Sequence, residues 1–225
     1  SGEVIGAGIS NQRETAIAWN RDTGEPIYNA IVWQCARGVK ICNALESAGY
    51  AKTIKDKTGL PLSPYFSAAK LAWILQNVSQ ASSLMQRGKL CMGTVDSWLL
   101  YQLTDKRELK TDYSNASRTQ LFNIVDLCWD KEICGLFGIN PTALPQVCDT
   151  DSLFGLSDFG GLFEKPIPIH AMMGDSHGAL FGQGGIMPGM IKATYATGSS
   201  VMMNIGGKPV LSDAGIVTSL AWGVG

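Results

Sequence analysis

Asp175, Ser176 and His177 stand together in MMGDSHGALFGQGG (172–185), where an apolar run gives way to helical spacing. The carboxyl end of a strand, next to a helix start, is where open α/β sheets bind ligands. A carboxylate there can take a proton from a substrate hydroxyl, and a helix N-terminus favours its negative charge. A plain helix cap is the competing role for Asp175. His177 reads as a solvated residue of the helix start, and His170, in PIPIHAMMG, as a core residue of the strand.

NQRET (11–15) sets Arg13 beside Glu14 after a buried run. Neighbours on an extended chain face opposite ways, so both serve one ligand only if the chain bends there. A guanidinium fork with a carboxylate acceptor suits a polyol; a surface ion pair is the alternative. Trp33, ending AIVW, and Tyr65, in SPYFS, offer an indole face for C–H bonds and a phenol for an oxygen, unless both simply fill the core. In ATGSS (196–200), free backbone N–H groups around Gly198 and the hydroxyls of Thr197, Ser199 and Ser200 can cradle a phosphate. The stretch lacks the lysine and spacing of a P-loop, and alone it reads as a hairpin turn.

These residues must be held by regular elements. EVIGAGIS, TAIAW and AIVW read as strands, the last two joined by turn chemistry in NRDTGEP. Val39, Cys42, Leu45 and Ala48 recur at helical spacing, and SAAKLAWILQNV (67–78) has one apolar face. KLCMGT reads as a buried strand, VDSWLLYQL as a helix from near Asp96, and WDKEICGLFG as another helix. PIPIHAMMG is a strand that feeds the helix SHGALFGQG, and MIKATYATGSSVMMNIG is strand, turn, strand. This alternation predicts an α/β layer fold with a mixed central sheet flanked by helices. Gly-Gly and Pro-Gly pairs near 184–189 divide the chain into residues 1–184 and 185–225.

Composition narrows the function classes. A net charge of −1, with both signs interspersed over 225 residues, leaves no basic stripe for nucleic acid. No uncharged stretch exceeds 16 residues, and one of that length, 176–191, is broken by glycines and a proline, so no membrane span is expected. Six scattered cysteines without a CxxC pair read as reduced core residues, and no metal-ligand cluster is predicted. With no targeting segment in view, the expected location is cytoplasmic. The chain opens Ser-Gly straight into a strand-like run and stops in another, so it reads as a piece of a larger protein.

Taken in order, GISNQRETAIAW, TGEPIYNAIVWQCARG, TGLPLSPYFSAAKLAWIL, GTVDSWLLYQLT, TDYSNASRTQLFNI, GDSHGALFGQ, TYATGSSVMMN and GIVTSLAWG resemble the FGGY carbohydrate kinases, most of all their glycerol-phosphorylating branch. The resemblance runs through essentially the whole chain. It implies a ribonuclease-H-like (actin-like ATPase) fold of two domains, truncated here. It also implies transfer of the γ-phosphoryl group of ATP, with Mg²⁺, to a hydroxyl of a small polyol or sugar. By resemblance Arg13, Glu14 and Tyr65 hold the polyol, Trp33 packs on its carbons, Asp175 is the general base and Thr197 touches the nucleotide phosphates. Three departures stand out: Ser176-His177 for the usual Gln-Gln, Ala196 for a glycine, and Ala36 for a second arginine. The first admits a longer substrate, such as a ketopentose like xylulose. The family's N-terminal phosphate-binding hairpin would precede Ser1 and most of its nucleotide domain would follow Gly225, so the 225 residues alone are expected to be inactive. Members are often dimers or tetramers, and the sequence leaves the oligomeric state open.

Overall fold

The computed structural model describes residues 3–195 and 199–224. The apolar opening run forms β1 (Ala7–Asn11), and β2 (Ile17–Asn20) carries the next. AIVW adds no full strand: Ala16 and Ile31 form one antiparallel bridge and Trp19 and Pro26 another. Pro26 has no N–H to give a ladder, so Trp33 follows a bridge rather than ending a strand. Helices α1 (Val39–Ser47), α2 (Ala51–Thr58), α3 (Ser67–Asn77) and α4 (Ser79–Gln86) come next. Beyond them β3 (Leu90–Gly93) pairs antiparallel with β2 and leads into α5 (Val95–Leu103). Both strands are buried on both faces because α3 and α4 cover one side and α5 contributes to the other.

The main core, with Ile31, Ile54, Leu71, Ile74, Met92 and Phe137, lies among these helices and strands. Downstream are β4 (Lys110–Asp112), α6 (Tyr113–Ala116), β5 (Phe122–Asn123), β6 (Cys128–Trp129), α7 (Lys131–Leu136), β7 (Gln146–Cys148) and β8 (Gly155–Ser157). The long strand β9 (Ile167–Gly174) runs into α8 (Asp175–Gly182), and β10 (Ile191–Thr194) pairs antiparallel with β11 (Ser200–Met203). The mixed sheet has the order β1-β9-β8, with β1 and β9 parallel and β8 antiparallel.

His170 departs from expectation: it is exposed. Ala7 pairs with Ile169 but Gly8 with Ala171, so His170 is the extra residue of a bulge. The bulge resets the alternation, so Ile169 and Met172 both point into the core while His170 turns outward. The cysteine reading holds for Cys42, Cys91 and Cys134, which are buried, whereas Cys128 is exposed and Cys35 and Cys148 are half-buried. None of the six is in a disulfide. No helix among the described residues is long and apolar enough to cross a membrane.

Candidate active site

The parallel pairing of β1 with β9 matches Asn11 with Gly174, so the two strand ends that carry Arg13 and Asp175 lie side by side. Under this edge sits a buried polar network. Asp112 caps α6 by accepting the N–H groups of Ser114 and Asn115 at 3.1 and 3.0 Å. The Ser114 hydroxyl donates to Asp112 at 2.9 Å and accepts the Gly174 N–H at 2.8 Å. The residue before Asp175 is thereby tied to the interior. Asn11 and Asn115 exchange amide hydrogen bonds at 3.0 and 3.2 Å, and Asn11 also donates to Asp96 at 3.3 Å. Burial pushes the Asp96 carboxyl up to about 6, against the hydroxyls of Thr111 and Thr94 that donate to it at 2.6 and 2.5 Å.

The bend that joint service of Arg13 and Glu14 requires is present. Glu14 has φ +62°, and the Thr15 N–H donates to the Arg13 carbonyl two residues back at 2.8 Å. This is the rarer γ-turn, with a positive central φ that a non-glycine residue adopts only under strain. The Ser67 hydroxyl secures the turn by donating to the Glu14 carbonyl at 3.1 Å. The two side chains do not pair with each other. Buried Glu14 accepts from Nε of Arg118 at 2.6 Å, both being under 10% exposed. Arg118 also lies 5.0 Å from the centre of the Phe66 ring. Nothing in SNASRTQLF marks Arg118 beforehand, since its neighbours from Ser114 to Leu121 are all buried without a helical or alternating pattern.

Arg13 turns to the first turn of α8. Its Nε lies 3.3 Å from Oδ1 of Asp175, off the line of a hydrogen bond, and its Nη2 donates to the Ser176 hydroxyl at 3.0 Å. Its Nη1 lies 3.4 Å from Nδ1 of His177. Burial lowers the Arg13 pKa, with the Glu14 charge opposing. Gly174, not Asp175, is the N-cap, and among the described residues Asp175 accepts a hydrogen bond only from the Ser176 N–H, at 2.7 Å. Its side chain is 56% exposed, so a carboxylate oxygen stays open to a ligand. His177 is fully buried, contrary to the solvated position expected; it shares an α8 face with Leu180, three residues on, and both point inward.

Tyr65 joins this cluster. The buried Lys70 ammonium donates to the carbonyls of Tyr65 and, at 3.0 Å, Phe66, which holds the SPYFS segment against the start of α3. Burial lowers the Lys70 pKa to about 8. Tyr65 and Trp33 meet edge to face, with centroids 5.5 Å apart. Burial raises the Tyr65 phenol, the Glu14 carboxylate adds to that, and Arg118 and Arg13 oppose it. Arg13, Glu14, Trp33, Tyr65, Asp175 and Ser176 therefore gather around one region. Thr197 and Gly198 lie outside the described residues, while Ser200 pairs with Thr194 in the β10–β11 ladder. Among the described residues no three His, Cys, Asp or Glu side chains converge as a metal cage.

Gly174 has a steric reason to be glycine. A Cβ there would sit 2.5 and 2.7 Å from Cδ and Cγ of Arg13, although φ −60° suits any residue. Gly174→Ala is therefore expected to push Arg13 off Ser176 and weaken by roughly tenfold or more any ligand that Arg13 holds, the polyol of the sequence reading first, with little loss of fold stability. Calorimetric titration with polyol, read beside the melting temperature, checks this.

The sequence profile "FGGY family of carbohydrate kinases, N-terminal domain" matches residues 1–182. The chain is 51% identical to "Glycerol kinase 1" of Thermotoga maritima over 98% of its own length and 44% of that protein. A crystal structure of Plasmodium falciparum glycerol kinase with ADP superposes with a TM-score of 0.93 at 37% identity, covering 97% of this chain and 44% of that one. A ligand-bound xylulose kinase from Lactobacillus acidophilus superposes with a TM-score of 0.79 at 20% identity, over 89% of this chain and 40% of that one, which shows the shared fold. The chain thus spans less than half the length of these relatives. The α/β fold expected from the order of strands and helices, and the ribonuclease-H-like form of it that the resemblance implies, agree with these structural matches.

Proposed function

Because the chain belongs to the FGGY family of carbohydrate kinases, we propose that it carries the acceptor-binding half of an ATP-dependent kinase that phosphorylates a small polyol, glycerol first. The observation that carries this reading is the open Asp175 carboxylate beside Arg13, with Tyr65 and Glu14 in the same cluster. Arg13 and Glu14 offer donors and an acceptor to adjacent hydroxyls, Tyr65 offers its phenol, and the Trp33 indole covers carbon. Asp175 takes the proton of the hydroxyl that attacks the γ-phosphorus. The resemblance to a glycerol kinase solved with ADP supports a nucleotide partner, and Thr197 with Gly198 is its assigned contact. Mg²⁺, when bound, would neutralise charge on the nucleotide phosphates, and no step here depends on it. We assign residues 1–184 to the substrate domain and 185–225 to the start of the nucleotide domain, which the end of the family match at residue 182 supports. A cytoplasmic location follows from the need for ATP.

One observation favours a second reading. Ser176 is short and already engaged by Arg13, which leaves room for a longer acceptor such as a ketopentose. An ATP-consumption screen of the full-length protein over glycerol, erythritol, xylulose, ribulose and gluconate separates the two. Glycerol is expected to give the highest kcat/KM, and Ser176→Gln to raise the glycerol-to-xylulose preference severalfold. A protein that turns over none of these contradicts the proposal.

A further inference from the structure

We propose that His177 is a positioning residue that fixes the guanidinium of Arg13 as a neutral imidazole carrying its proton on Nε2, and thereby sets affinity for the polyol. The affinity role rests on the reading of Arg13 as a polyol ligand; the tautomer rests on geometry alone. An arginine only donates, so Nδ1 of His177, 3.4 Å from Nη1, must accept. The single proton of a neutral ring then sits on Nε2 and is donated to the Ser219 hydroxyl at 3.2 Å. The ring is fully buried, so no water replaces either partner.

The surroundings agree with an uncharged ring. Burial, and then the charges of Arg13, Arg118 and Lys192, push the His177 pKa well below the ordinary histidine value. Lys192, on β10, is itself buried and donates to the Ser176 carbonyl at 3.3 Å. Asp175, on the same turn of α8, pairs with Arg13, and Glu14 is taken by Arg118. A charged imidazole would be one more cation among three, with both nearby acids already engaged.

Ser219 gives the brace its footing. Its segment is tied down by the Thr218 N–H to Gly59 carbonyl bond at 3.0 Å and the Leu220 N–H to Ser117 hydroxyl bond at 3.1 Å. Four residues beyond Ser219, the Gly223 carbonyl accepts the Thr150 N–H at 2.8 Å. Arg13 is therefore held on one side by Asp175 and Ser176 and on the other, through the imidazole, by a segment distant in sequence.

The test uses the full-length protein. Asparagine can place an acceptor near the Nδ1 position, glutamine reaches Ser219 instead, and leucine does neither. His177→Leu is expected to raise the KM for polyol roughly 10- to 100-fold, the range for losing a hydrogen bond to a buried charged group, with a smaller change in kcat. His177→Asn is expected to restore most of the affinity, and His177→Gln to restore less. Wild-type KM in a folded His177→Leu variant overturns the affinity role. ¹⁵N imidazole spectra give a readout independent of turnover. Among the imidazole signals of the full-length protein, the one that is missing from the His177→Leu spectrum is that of His177. A ring protonated on Nε2 and bare on Nδ1 is expected at neutral pH, with its charging displaced below the ordinary histidine range. A neutral ring with its proton on Nδ1 overturns the tautomer, and a ring still charged at neutral pH overturns the neutral state. If the unsubstituted protein binds no polyol, the functional reading falls and takes the affinity role with it, while the spectrum still decides the tautomer.

Discussion

Asp175→Asn in the full-length protein is expected to lower kcat by about 10²- to 10⁴-fold, the usual share of a positioned general base, while polyol affinity stays nearly intact. Asparagine keeps the shape of the side chain and can still accept the Ser176 N–H that Asp175 accepts at 2.7 Å. What it loses is the basic oxygen at the open mouth of the site. The ion pair with Arg13 is lost too, but that carboxylate is 56% exposed, and Ser176 and His177 still hold the guanidinium. Binding and turnover should therefore separate. Stopped-time ATP consumption and calorimetric polyol titration measure the two quantities. Equal loss of both would make Asp175 a binding group, and near-wild-type kcat would remove it from the chemistry.

Glu14→Ala is expected to cost about 3–5 kcal/mol of stability, the range for breaking a buried ion pair from one side, and to abolish detectable polyol binding. Arg118 is only 7% exposed, and its Nε has no other carboxylate partner among the described residues. Removing Glu14 leaves a cation facing Phe66 and the interior. The γ-turn separates this electrostatic loss from a backbone one. Glu14→Gly eases the positive φ yet strands Arg118 equally, so it should recover only a small part of the stability. Glu14→Ala with Arg118→Met should recover most of it without restoring binding. Chemical denaturation of the four proteins distinguishes these outcomes, and a Glu14→Ala variant as stable as the parent contradicts the argument.

Elements with clear periodicity were legible in the sequence: α1 and α3 lie where apolar spacing put them, and α5, α7 and α8 fall on segments read as helices. The helices α2 and α4 were not, because AKTIKDKT and SQASSLMQ bury only Ile54 and Thr58 in one and Ala81 and Leu84 in the other. Two buried residues per short helix make no stripe. At the site, the residue types around Arg13, Glu14, Tyr65 and Asp175 pointed to hydroxyl chemistry, and the bend between Arg13 and Glu14 followed from the need for both to face one ligand. The partners did not follow. That Glu14 pairs with Arg118, and Arg13 with Asp175, depends on which chain ends the sheet brings together. A bulge is invisible to alternation, which hides the exposure of His170, and the burial of His177 follows from the face it shares with Leu180 rather than from its place at a helix start.

The parallel pairing of β1 with β9 also governs when the pocket can exist. Arg13 and Ser176 are separated by 163 positions along the chain. Closing a loop of that length costs about 4–5 kcal/mol of chain entropy, and no local contact can offset it early. At a ribosomal pace of roughly 5–20 residues per second, β1 waits about ten to thirty seconds for β9 to be synthesised. Arg13 and Ser176 therefore come together only after the intervening helical layer has had time to condense.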